Sequence, residues 1–168
     1  MIITRTHKDI EDVLMEPGVK GEKESYFIIE SDEQNILVIN SGKNGIEFNK
    51  TRGSFRKDNN ISIYQCLYGQ GILIMQRNDE GGEAKEFKVV TMHTGRQVVI
   101  PAGFLFGLAN IGKGFLVVLD SYPYDSKIEQ VENLKVKQGF AYYIVEKKGE
   151  IAFEQNPNYR IHPQISTE

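Results

Sequence analysis

Apolar and polar residues alternate in short runs along this chain, and glycine-rich or charged turns separate the runs. YFIIE at 26–30 and NILVIN at 35–40 flank the polar SDEQ, which predicts a hairpin. IEFNKT at 46–51 alternates after the turn cluster at 41–45. The most regular stretch runs from Ile61 to Asn110. It predicts strands at 61–68 and 72–76 around Gly69-Gln70-Gly71, at 86–90 after the acidic turn from Asn78 to Ala84, at 96–100, and at 104–109 after Pro101-Ala102-Gly103. FLVVLDSY at 115–122 predicts one more strand, and 140–145 with 150–154 predict a closing hairpin around Lys147-Lys148-Gly149. Helical spacing is clear at Ile10, Val13 and Leu14, with Thr6 as N-cap and Pro17-Gly18 as stop. Residues 125–137 read as a short helix or an irregular lid, and 52–60 as a polar, basic loop.

Short strands at this spacing predict an all-β sandwich or barrel. With 168 residues, one domain is expected: an N-terminal helix and loop over 1–25, a barrel with flanking strands over 26–154, and a polar tail with a mobile end over 155–168. Composition changes this picture little. Hydrophobic residues make up 40% and charged residues 26%, as in soluble domains. A net charge of −3 supplies neither the basic face that nucleic acid requires nor a polybasic membrane anchor. The N-terminal stretch carries no long apolar run, so the expectation is a cytoplasmic protein with no membrane or nucleic-acid partner. One cysteine, Cys66, rules out an intrachain disulfide and a cysteine-rich zinc site.

Few residues suggest chemistry by themselves. The three histidines, His7, His93 and His162, fall in different elements and read as surface or capping residues. Cys66, on an apolar strand, reads as a small core residue. Along 61–68, Ser62, Tyr64, Cys66 and Tyr68 share one face, and along 104–109 Phe104, Phe106 and Leu108 share another. The basic loop carrying Lys50, Arg52, Arg56 and Lys57 has two readings: an anion cradle beside the Thr51 hydroxyl and Gly53 backbone, or a solvated loop balancing the acidic turn at 79–83.

The order of Gly69-x-Gly71, an acidic turn, Pro101 and Asn110-x-Gly112 is similar to the cupin barrel pattern. More closely, KDIEDVL (8–14), SGKNGIEFNKTRG (41–53), YQCLYGQGILIMQ (64–76), SYP (121–123), QGF (138–140) and NPNY (156–159) make the chain resemble the cupin-type phosphoglucose isomerases over nearly its whole length. The resemblance implies an all-β fold: a single cupin (double-stranded β-helix, jelly-roll) barrel with a short N-terminal helix and extra terminal strands. In that family three histidines and a glutamate hold a divalent metal. Here Ser54 and Arg56 stand at the paired histidines, Ser62 at the glutamate and Phe106 at the last histidine. The Gly-His-Asp-Tyr that follows Tyr-Pro in the family is also absent after Tyr122-Pro123. Thr51, Gly53, Tyr64 and Tyr122 match substrate-side positions.

The expectation is therefore a protein without a metal or other cofactor and without catalytic residues at the family positions, binding a sugar phosphate or similar small anion. A carboxylate from 125–132 (Asp125, Glu129 or Glu132) would be needed for an active isomerase. A structural or assembly role is the third reading, and a homodimer is expected, with YFIIE and AYYIV as candidate faces.

Overall fold

The computed structural model describes residues 1–57 and 60–168, so Asp58 and Asn59 of the basic loop lie outside the described residues. The chain opens with β1 (Ile2–Thr6), α1 (His7–Ile10) and a 3-10 turn (Glu11–Val13). A hairpin of β2 (Glu24–Glu30) and β3 (Asn35–Ile39) follows, then three two-residue strands: β4 (Lys43–Asn44), β5 (Glu47–Phe48) and β6 (Ser54–Phe55). The central strands are β7 (Ser62–Tyr68), β8 (Gln70–Asn78), β9 (Ala84–His93), β10 (Gln97–Ile100), β11 (Leu105–Asn110) and β12 (Leu116–Asp120). A second 3-10 turn (Ser126–Glu129) and α2 (Glu132–Val136) lead to β13 (Tyr142–Lys147), β14 (Glu150–Gln155) and β15 (Ile165–Thr167).

These strands form three sheets rather than one closed ring: β1-β2-β3-β12-β7-β10, β15-β9-β8-β11-β6 and β14-β13-β5-β4. The two larger sheets share one apolar core in a jelly-roll arrangement, with Tyr64 of β7 meeting Phe106 of β11 edge to face at 5.7 Å between centroids. This is the all-β cupin architecture with added terminal strands that the family resemblance implies. The turn between β7 and β8 depends on Gly69. Its φ is +95°, and a Cβ there would sit 2.3 Å from the Phe115 carbonyl oxygen.

Differences from the sequence-based expectations have local causes. Thr6 caps α1 as expected, in a capping box with Asp9, but the helix is one turn long before it tightens to 3-10. Its predicted apolar stripe is correct, since Ile10, Val13 and Leu14 are fully buried. Tyr68 departs from the face it shares with Ser62, Tyr64 and Cys66 and is 61% exposed. The register of β7 against β12 slips between Val117 and Val118, so Leu67 is an extra residue and the alternation shifts after Cys66. The end of the tail is fixed in place. β15 pairs in parallel with β9, and Glu83 accepts from the Arg160 and Ile161 N–H groups at 2.7 and 2.9 Å.

Candidate functional site

The inward faces of β2, β3, β7 and β12 meet those of β6 and β11 around a cavity of about 30 Å³, room for a couple of waters. Thr51, Ser54, Tyr64 and Phe106 line it from the barrel, with Tyr26 and Asp120. Tyr124, Ile128 and Glu129, from the segment after β12, cover it.

The four positions that the family resemblance sets at the metal ligands fall in two pairs. Ser54 pairs directly across from Phe106. The Arg56 Nε donates to Ser62 Oγ at 2.6 Å, and its Nη2 lies 3.2 Å from Asp120 Oδ2. The guanidinium stacks 4.3 Å over the Tyr122 ring. Asp120, opposite Tyr64 in the ladder, also accepts from Asn35 Nδ2 and from the Tyr122 N–H at 3.0 Å. Two hydroxyls, a phenyl ring and a permanently protonated guanidinium are not a donor set for a divalent transition metal, which is held by imidazole, carboxylate or thiolate. Among the described residues, no group of three His, Cys, Asp or Glu converges as metal ligands.

The substrate-side positions divide. Thr51 joins its backbone N–H to the Leu108 carbonyl at 2.8 Å and accepts the Leu108 N–H on its hydroxyl at 3.0 Å, so it braces β11. Gly53 has φ of +102°, and a Cβ there would lie 2.6 Å from Leu134, so its place reflects packing against α2. Tyr64 lines the cavity, and burial raises its hydroxyl pKa well above the usual phenol value, which keeps it protonated. Tyr122 packs on Arg56 rather than lining the cavity.

The basic loop is largely engaged by internal acids. Lys50 pairs with Glu47 at 2.7 Å and donates to the Val13 carbonyl at 2.6 Å. Arg52 forms a forked pair with Asp12. Lys57 is exposed, and with Arg56 and Lys127 it borders an open depression of about 440 Å³. His162 Nε2 donates to the Asn156 carbonyl at 2.7 Å, and His7 and His93 lie apart from it on other elements. Cys66 is buried, its thiol pKa raised by that burial, as for a core residue.

Of the carboxylates at 125–132, Glu129 reaches the cavity. Asp125 caps its own turn through the Lys127 N–H, and Glu132 is exposed. Glu129 accepts from Tyr26 OH at 2.5 Å, from Arg5 at 2.9 Å and from Tyr124 OH at 3.2 Å. Arg5, Tyr26, Tyr124 and Asp120 were not singled out from the sequence. Asp120 carried a signal there: it follows Leu116 and Val118 at the inward period of FLVVLDSY, where an acid is out of place.

A family model for glucose-6-phosphate isomerase (GPI) matches residues 15–162. The chain is 29% identical over 124 residues to the glucose-6-phosphate isomerase of Pyrococcus furiosus, covering 73% of this chain and 62% of that protein. It is 26% identical over 143 residues to that of Pyrococcus abyssi, covering 82% and 72%. The chain thus spans less than two thirds of the length of the first of these relatives. Solved structures are more remote. The Drosophila melanogaster CENP-C cupin domain gives a TM-score of 0.42 at 10% identity, over 54% of this chain and 56% of that one, too distant to bear on function. With the family match running over most of the chain, from the loop before β2 through the cavity to the tail after β14, the chain belongs to the glucose-6-phosphate isomerase (GPI) family.

Proposed function

We propose that this protein is a metal-independent member of its family that binds a sugar phosphate or similar small anion without isomerising it. The observation that supports this reading is the Arg56–Ser62–Asp120 cluster, which includes two of the positions where the family resemblance expects metal ligands. Arg56 puts a fixed positive charge there, already balanced by a buried carboxylate, and a cation beside it would be repelled. Aldose–ketose isomerisation needs a base for the proton next to the carbonyl and an electrophile for the carbonyl itself. Tyr64, held protonated by burial, is a poor base. The anion's negative end is met by Lys57, Lys127 and the outer side of Arg56 at the open depression. A sugar enters the interior only when the segment carrying Tyr124 and Glu129 lifts, because the cavity holds little more than water.

Elemental analysis is expected to find far less than one equivalent of iron, manganese or zinc. A coupled glucose 6-phosphate/fructose 6-phosphate assay is expected to show no turnover with or without added divalent metal. Sugar phosphates at millimolar concentration are expected to raise the melting temperature, since they bind the native state. No shift with any of them removes the binding claim. A second reading is favoured by Glu129, a carboxylate on the cavity wall beside Tyr64: turnover that Glu129→Gln abolishes would make it the base of an active isomerase.

A further inference from the structure

The segment that covers the cavity is tied down by one buried carboxylate, Glu129, and the groups around it form a ready-made receptor. Its Oε2 accepts from Tyr26 OH at 2.5 Å. Its Oε1 accepts from Arg5 Nη2 at 2.9 Å and from Tyr124 OH at 3.2 Å. Each hydroxyl is itself aimed by another donor. The Arg5 guanidinium donates to Tyr124 OH at 2.6 Å, and the Arg52 N–H donates to Tyr26 OH at 3.4 Å. Each phenolic proton is therefore left for the acceptor in the middle. Burial keeps both phenols protonated, raising Tyr26 well above its ordinary value and Tyr124 to about 12. Arg5 and Tyr26 face each other across the β1–β2 ladder, so these two donors stand on paired strands. The carboxylate that they hold stands on the 3-10 turn between β12 and α2.

We infer that Arg5, Tyr26 and Tyr124 form a binding site for a small oxyanion, a phosphate or a carboxylate, and that Glu129 is a tethered occupant which such an anion displaces. The inference goes beyond the reading above and does not depend on it, since it needs neither a sugar nor the depression beside Lys57. A guanidinium and two hydroxyls converging on one point suit any oxyanion, and a carboxylate of the chain is one that fits. Glu129 also stands between two spaces. It lines the interior cavity of about 30 Å³ and, on its other side, an outer depression of about 250 Å³. Lys135 and the Asp12-paired Arg52 border that depression, with Glu132 as the opposing charge. An anion from solvent thus meets the Glu129 carboxylate at the depression's inner wall. A tethered group competes at an effective concentration of about millimolar or above, so a free anion gains the donors only by replacing it. Once replaced, Glu129 no longer ties the covering segment to β1 and β2, and the way into the cavity opens. Glu129→Ala leaves the three donors in place. It also leaves Arg5 without the carboxylate that it pairs with among the described residues.

Calorimetric titration of the whole chain with inorganic phosphate, and separately with acetate, tests this at an ionic strength held constant with chloride. Glu129→Ala is expected to bind phosphate at least about tenfold more tightly than the wild type, because the tethered competitor is gone. Its melting temperature should rise with phosphate concentration accordingly. Adding Arg5→Gln to Glu129→Ala should abolish the binding. Tighter binding of acetate than of phosphate would assign the same site to carboxylates. A Glu129→Ala protein that binds neither anion more tightly than the wild type overturns the proposal, as does binding that survives Arg5→Gln. Should Glu129→Ala fail to fold, amide exchange on the wild type decides. Phosphate in large excess should then speed exchange across 122–131 while β8 and β11 stay protected, and exchange no faster than in chloride overturns the proposal.

Discussion

The Arg56 Nε donates to Ser62 Oγ at 2.6 Å, joining two positions at which the family resemblance places a histidine and a glutamate. The contact is a local one between a loop and the start of β7, six residues apart. Asp120, on β12, makes it part of the tertiary core.

Arg56→Met is expected to leave the Asp120 carboxylate buried without its cation. Removing one member of a buried pair costs about 3–5 kcal/mol. At about 2–4 °C per kcal/mol for a chain of this size, the melting temperature should fall by roughly 10 °C. Adding Asp120→Asn should recover a large part of the loss, because no buried charge is then left alone. Calorimetry on the two variants checks both, and a loss below about 1 kcal/mol for the single change would show that the pair is not structurally required.

Phe106 fills the cavity wall and meets Tyr64 edge to face. Phe106→Ala is expected to cost about 3–5 kcal/mol, the usual penalty for emptying a buried aromatic site. Phe106→Leu should cost less, since most of the volume is kept. Chemical denaturation measures the difference. Equal losses for the two variants would mean that Phe106 is held for its ring rather than its bulk.

Glu129 ties the segment over the cavity to β1 and β2 through Arg5 and Tyr26. Tyr26→Phe removes a hydrogen bond to a charged group, worth about 1.5–3 kcal/mol. Amide exchange across 122–131 should speed up while β8 and β11 keep their protection. Unchanged exchange in that segment would show that its packing, not this carboxylate, holds it down.

Lys137, with the N–H groups of Ile161 and Arg160, holds Glu83 at about 2, against an ordinary value of 4.5. A carboxylate depressed on folding adds stability that is present above its unfolded pKa and lost as pH falls through the folded one. The tail should therefore loosen between about pH 4.5 and 2. Amide signals of 160–168 report this, and Glu83→Gln should produce the same loosening at neutral pH. Tail signals that stay protected in the variant would contradict the assignment.

The sequence by itself marked the central strands and the turns between them, because alternation and glycine punctuation are local signals, but it missed β1, β6 and β15, whose pairing is set by distant partners. The resemblance to a known family, rather than any local pattern, is what singled out Ser54, Arg56, Ser62 and Phe106. The tertiary structure decided what these residues do. Alternation cannot foresee the extra residue at Leu67, which turned Tyr68 outward, since a bulge depends on register with β12. Nor does sequence distance announce that Arg5 and Glu129, 124 residues apart, form one pair. Thr51 looks like a ligand contact in its motif, yet its hydroxyl accepts from β11.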